Sequence, residues 1–333
     1  MNVRNIACAS LITAYVVAGG LPAQETKAKP RGKRTRRKPA VAMQPTKQIV
    51  YKTTENADGA EVKLRLHVFE PPGHKPSDKR PTAVFFFGGG WVGGSPSQFY
   101  AHGKYLASRG MLAVSAEYRV RSRNGTTPFE CVADGKSAIR YVRAHARELG
   151  ADPNRIVAGG GSAGGHVAAA TGTLPGLDEP SEDASASSAP NAMVLFNPVI
   201  DCGPEGSYGH ARVRARWKEI CPTHNVSKKT PPTLLLHGTG DKTVRYADAE
   251  GFVKAAKAAG ARCELIGYEG QGHGFFNFGR GGYDHFIRTV EAADKFLAGL
   301  GYLKGEPAVK EFVARMTRPQ AKRPAASAVP ERD

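Results

Sequence analysis

From Val62 to Val68, apolar Val62, Leu64, Leu66 and Val68 alternate with Lys63, Arg65 and His67, which predicts a strand buried on one face. The apolar runs that follow do not alternate. Ala83 to Phe87, Leu112 to Ala116, Ile156 to Ala158, Met193 to Phe196 and Thr233 to Leu236 are short and continuous, as expected of strands covered on both faces. Glu264 to Gly267 adds a further candidate. Between them lie segments of helical period. These are Phe99 to Arg109, Phe129 to Leu149 with Ile139, Val142, Ala146 and Leu149 on one face, Tyr246 to Ala259, and Asp284 to Leu300. Asp152-Pro153-Asn154 reads as the break between the second helix and the strand after it. Strands alternating with helices predict an α/β fold with a mostly parallel central sheet and helices on both faces. Asp201 to Thr230 carries neither period and is expected to sit over one end of that sheet.

This patterned body extends from about residue 49 to 303 of the 333-residue chain, and its flanks differ from it in composition. Ile6 to Val17 is an apolar run behind Arg4, and Leu21-Pro22-Ala23 could precede a cleavage site, so 1–23 reads as an export signal. Twelve residues are too few to span a bilayer as a helix. The expected destination is periplasmic or extracellular. Residues 24–48 form a basic, Pro-punctuated linker with nine Lys/Arg and one acid up to Lys47, about half of the chain's formal charge of +17. That charge could hold anionic envelope polymers, although a solvated tether is the preferred reading. It lacks the interleaved aromatics of base stacking, so no specific nucleic-acid partner is expected. Residues 304–333 read as a disordered tail, rich in Ala, Pro and charge.

Of five cysteines, Cys8 lies in the leader. Cys202 and Cys221 flank the irregular segment and are candidates for a local bridge worth roughly 3 kcal/mol, whereas Cys131 and Cys263 lie in periodic segments and read as core residues. No paired C-x-x-C spacing suggests a zinc site, and His102, His145, His210, His224 and His285 show no ligand spacing. Neither a metal nor a cofactor is expected.

The candidate chemistry centres on Gly160-Gly161-Ser162-Ala163-Gly164, which fits the G-x-S-x-G elbow that presents a serine hydroxyl between strand and helix. The same stretch spells G-x-G-x-x-G through Gly159, Gly161 and Gly164, but the dinucleotide fingerprint needs a following strand with an acid about 20 residues on. Residues 172–190 hold no strand pattern. Gly88-Gly89-Gly90, after an earlier strand, could aim backbone N–H groups at a developing oxyanion. Asp241 follows the strand at Leu234-Leu235-Leu236, and His273 lies in Gly272-His273-Gly274-Phe275 after the last strand. The order Ser162, Asp241, His273, each after a predicted strand, is that of an α/β-hydrolase.

With Phe87-Gly88-Gly89-Gly90-Trp91, the elbow through His166, His237-Gly238-Thr239-Gly240-Asp241 and the His273 loop, residues from about 49 to 303 resemble the α/β-hydrolase esterase/lipase family. The likeness is to its branch of hormone-sensitive-lipase-like and feruloyl- or acetyl-xylan-esterase-like carboxylesterases. The resemblance implies Ser162 as nucleophile, Asp241 and His273 completing a triad, and Gly89, Gly90 and Ala163 as oxyanion donors. The family's usual histidine before the three glycines is Phe87 here, so whatever that side chain does for the loop is lost. No long helical cap precedes the first strand, which argues for an open cleft and against long-chain lipid. The expected enzyme is an exported serine carboxylesterase for short or aromatic acyl groups, with acetyl or feruloyl groups on polysaccharide as candidate substrates. A prolyl-oligopeptidase-like peptidase is the nearest rival, although 48 residues before the first strand leave no room for its usual propeller. A non-catalytic, envelope-binding module on a hydrolase scaffold is a rival of another class.

Overall fold

The computed structural model describes residues 43–318; the expected export signal at 1–23, most of the basic linker and residues 319–333 lie outside them. Eight strands form one sheet: β1 (Lys47–Glu55), β2 (Glu61–Phe69), β3 (Arg80–Phe86), β4 (Leu112–Ala116), β5 (Ala151–Gly161), β6 (Ala192–Phe196), β7 (Thr233–Gly238) and β8 (Cys263–Tyr268). Their order is β1-β2-β4-β3-β5-β6-β7-β8. The first two strands pair antiparallel and β2 is antiparallel to β4, while every later pair is parallel. β2, read as buried on one face, alternates only up to Arg65; from Leu66 to Phe69 it is buried on both faces, His67 included. The continuous apolar runs are the inner strands β3 to β7, buried on both faces.

The connecting helices are α1 (Tyr100–Ser108), α2 (Pro128–Ala144), α3 (Ala163–Thr173), α4 (Tyr246–Ala258) and α5 (Asp284–Gly299). Thr127 and Glu130 close a capping box at the start of α2. That helix stops at Ala144, and a separate turn covers Ala146–Leu149, so the long helix read from the pattern is two pieces. Asp152-Pro153-Asn154, expected to precede the strand, lies inside β5. The register with β3 shifts between Arg80↔Ala151 and Thr82↔Ile156, and in that irregularity Pro153 breaks no continuous ladder.

The expected disordered tail is corrected over its first half. Val309–Thr317 forms a helix, α6, with Val309, Phe312, Val313 and Met316 buried on one face. Phe312 packs edge-on against Tyr105 at 5.5 Å between ring centroids. Arg109 ties the approach to the helix, donating to the carbonyls of Lys304 and Gly305 while pairing with buried Asp294. The four described cysteines are free, buried thiols, so the candidate Cys202–Cys221 bridge is absent from the structure.

A buried ion cluster joins α2 to β1 and to the chain leaving β4. The fully buried Asp134 accepts from Arg119 Nε and Nη2 and from the Arg119 backbone, each at 2.9 Å, and pairs with Lys52 Nζ at 2.9 Å. Removing one member strands buried charge, which costs more than the cluster contributes net. Asp134→Ala is therefore expected to lower unfolding free energy by about 3–5 kcal/mol, read from the urea midpoint.

Two buried histidines give the fold an acid-labile component. His102 sits among Phe85, Phe99, Phe196, Phe276 and Phe286, and neither ring nitrogen has a partner among the described residues. Burial pushes its pKa down to about 3. Burial also takes His166 down to about 4, partly opposed by its bond to the Ile220 carbonyl. Below pH ~6.5 the unfolded chain takes up protons that these folded imidazoles refuse, so stability falls as pH drops from there toward 4. The expected slope is about 3 kcal/mol per pH unit for the pair. His102→Phe should remove roughly half of it in urea titrations at pH 7.5, 6 and 5.

Candidate active site

The parallel strands β3, β5, β7 and β8 all end on the same side of the sheet, and the loops leaving them carry the predicted site residues. Ser162 follows β5 directly and opens α3. Its φ of 57° and ψ of −123° are a conformation that costs a non-glycine residue of order 1–3 kcal/mol. The turn is over-determined from both sides. The Ser162 N–H donates to the Phe196 carbonyl at 3.1 Å, and the Ser162 carbonyl accepts from His166 and Val199. Gly164 lets α3 start against β3, because a Cβ there would lie 2.1 Å from the Phe86 carbonyl oxygen.

The sheet brings Ser162, Asp241 and His273 together across 111 and 32 residues of sequence. His273 Nε2 lies 2.9 Å from Ser162 Oγ, and His273 Nδ1 lies 2.7 Å from Asp241 Oδ2. Asp241 is buried, while a quarter of the His273 side chain remains exposed to the cleft. Burial by itself would raise the Asp241 carboxyl. Hydrogen bonds from His237 and His273 and from the backbone N–H groups of Val244 and Thr243 outweigh burial and hold it well below the usual carboxylate range. An ionised, fixed carboxylate beside Nδ1 keeps the proton there and leaves Nε2 free to accept from the serine.

Gly89 and Gly90 stand at φ 136° and 62°, values that favour glycine. Among the described residues, the N–H groups of Gly89, Gly90 and Ala163 have no backbone acceptor, as anion-binding donors require. Phe87, in place of the family's histidine, holds this loop differently. Its ring stacks on Tyr118 at 4.2 Å, and Tyr118 donates its hydroxyl to the Phe87 carbonyl at 2.5 Å.

Several residues here escaped the sequence reading. Gln98 accepts from Gly88 N–H at 2.6 Å and donates to Asn277 at 3.0 Å, and Asn277 donates to the Gly274 carbonyl at 2.7 Å. That chain links the glycine loop to the histidine loop. Asn197, at φ 33°, accepts from Gly274 N–H at 3.0 Å. The irregular segment after β6 reaches the site, as its expected position over the sheet end implies. Arg212 donates to the Gly90 carbonyl and to Tyr208 Oη, and its guanidinium lies 5.1 Å from the Tyr208 ring and 5.8 Å from that of Trp91. No local spacing marks these residues; the contacts are made by distant segments. His166, expected behind the elbow, packs there edge-on to Trp91 at 5.0 Å.

A family model described as BD-FAE matches residues 66–205, and the prolyl oligopeptidase family model matches residues 201–297. Esterase LipC of Mycobacterium tuberculosis is 29% identical over 232 residues, covering 60% of this chain and 54% of LipC. The chain thus spans about half the length of the curated relatives it matches. Among solved structures, the apo form of Thermogutta terrifontis esterase 2 is 46% identical with a TM-score of 0.75, covering 80% of this chain and 98% of that one. Its butyrate-bound form matches with a TM-score of 0.73 at 46% identity, covering 79% and 98%.

Proposed function

The chain belongs to the α/β-hydrolase esterase/lipase family, whose enzymes cleave carboxylic esters, and from that premise we propose that it is a serine carboxylesterase acting on short acyl groups through Ser162, His273 and Asp241. The observation that carries this reading is the unbroken hydrogen-bonded path from Asp241 through His273 to Ser162 Oγ. Ser162 Oγ attacks the ester carbonyl carbon as its proton passes to His273 Nε2. The carbonyl oxygen, now negative, is received by the N–H groups of Gly89, Gly90 and Ala163, each such donor contributing about 3–4 kcal/mol in the transition state. His273 returns the proton to the departing alcohol, leaving an acyl-enzyme. Water then attacks with its proton taken by His273, and the acid leaves Ser162.

The short-acyl preference is supported by two features. Arg212 and Tyr208 close against Gly90 and narrow the space beside the oxyanion loop. The similar esterase from Thermogutta terrifontis was solved with butyrate bound. p-Nitrophenyl acetate, butyrate and decanoate are the test: kcat/KM should be highest for the first two and fall at least ~10-fold for decanoate, whose longer acyl chain has to displace Arg212 and Tyr208 to seat its carbonyl at the oxyanion loop. A decanoate optimum would overturn the chain-length assignment.

Export by the leader at 1–23 and action on acetyl or feruloyl groups of a polysaccharide extend this reading. Release of acetate or ferulate from acetylated or feruloylated xylan, measured with the secreted protein, tests both. The peptidase reading draws on the prolyl oligopeptidase match, which covers the segment bearing Asp241 and His273. Turnover of a prolyl p-nitroanilide exceeding that of the esters would favour it.

A further inference from the structure

We propose that Asp201, Cys221 and His224 form a binding site for one Zn²⁺ or similar borderline transition-metal ion at the base of the segment that reaches over the oxyanion loop. The three donors are remote in sequence terms, an acid just after β6 and a C-x-x-H turn some 20 residues later. The fold gathers them. Cys221 Sγ lies 3.3 Å from Asp201 Oδ1, His224 Nε2 lies 4.0 Å from the same oxygen, and all three ligand atoms fall within 4.8 Å of one another. Bonds of about 2.3 Å to sulfur and 2.0–2.1 Å to nitrogen and oxygen put tetrahedral ligand atoms roughly 3.3–3.6 Å apart. Closing on an ion therefore asks for a shift of about an ångström, and His224, nearly half exposed, is the side chain free to make it.

The chemistry of the set is as apt as its spacing. Thiolate, imidazole and carboxylate together favour zinc over magnesium or calcium, which take oxygen donors. The Cys202 backbone N–H already points at Cys221 Sγ from 3.2 Å, the kind of hydrogen bond that steadies a metal-bound thiolate. The frame is fixed: Thr223 binds the Ile200 carbonyl through both its N–H and its hydroxyl, pinning the turn of Cys221 and His224 to the chain just before Asp201. Binding displaces the Cys221 thiol proton to solvent, and the fourth position is left to water.

Its consequence is mechanical. Asp201 opens the excursion that carries Tyr208 and Arg212, and His224 closes it, so an ion would clasp both ends of the segment that touches Gly90. This proposal does not depend on the catalytic assignment.

Co²⁺ is the probe, titrated into the reduced full chain. One equivalent should bind with a thiolate-to-cobalt band in the near ultraviolet and tetrahedral bands in the visible, and Zn²⁺ should abolish both. Trp217, edge-on to His224 at 4.4 Å, should be quenched in step. His224→Ala, a change at an exposed side chain, should weaken binding by on the order of 100-fold or more, and Cys221→Ser should remove the charge-transfer band. Binding unchanged in His224→Ala, or a cobalt complex without the thiolate band, would overturn the site. So would a Cys202–Cys221 disulfide found by peptide mapping of protein purified without reductant.

Discussion

Ser162→Ala should lower turnover of p-nitrophenyl butyrate about a million-fold, the cost of removing the nucleophile from a working serine triad. The loss should fall on kcat, with little change in the concentration of ester needed for half-saturation, because Oγ forms its bond to the substrate only on the way to the transition state. Stability should barely move. The alanine keeps the Cβ that strains the elbow at φ 57°, and Oγ has His273 as its partner rather than a structural acceptor. Measured beside the wild type, the variant should unfold at the same urea concentration. Equal activity of the two proteins would remove Ser162 from the mechanism.

Asp241→Asn should reduce kcat about 10⁴-fold, the magnitude seen when a triad carboxylate becomes an amide. The shapes are nearly the same, so the effect lies in charge and tautomer. Oδ1 accepts from Thr243 and Val244 N–H at 2.8 and 3.0 Å, which forces an asparagine to turn its oxygen that way. The NH₂ then faces His273 Nδ1, where a carboxylate oxygen had accepted a hydrogen bond. His273 answers by placing its own proton on Nε2, where it can no longer take one from Ser162. A double variant with Ser162→Ala should be no slower than Ser162→Ala alone, since the two residues act as one unit. Additive losses would show that Asp241 acts outside the relay.

The legible parts of this molecule were those whose signal is local. Buried strands announce themselves as short apolar runs, and each predicted site residue follows one, because the turn leaving a parallel strand is where the backbone opens toward the cleft. The α6 helix carries a local signal too, in Val309, Phe312, Val313 and Met316. It is short and lies in a stretch dominated by Ala, Pro and charge, and what stabilises it is docking on Tyr105 and Arg109, some 200 residues away. Pro153 misled for a similar reason. A proline argues against a strand unless the register is interrupted there, and the interruption belongs to the pairing with Arg80 and Thr82. Gln98, Asn197 and Asn277 are ordinary polar residues until the fold closes, when each spans two loops.

His273 leaves the sheet from β8, the edge strand, which has a neighbour on one side only. Ser162 and the glycine loop leave from interior strands. Peripheral elements tend to open at lower free energy than core strands, so the proposed acid–base group is mounted at a sheet edge and the proposed nucleophile on an interior strand. The polar brace through Gln98 and Asn277 ties the histidine loop to the glycine loop, and Asn197 holds it from the end of β6. On that arrangement, activity is expected to fall at a lower urea concentration than the one that unfolds the strands holding Ser162, and to return on dilution.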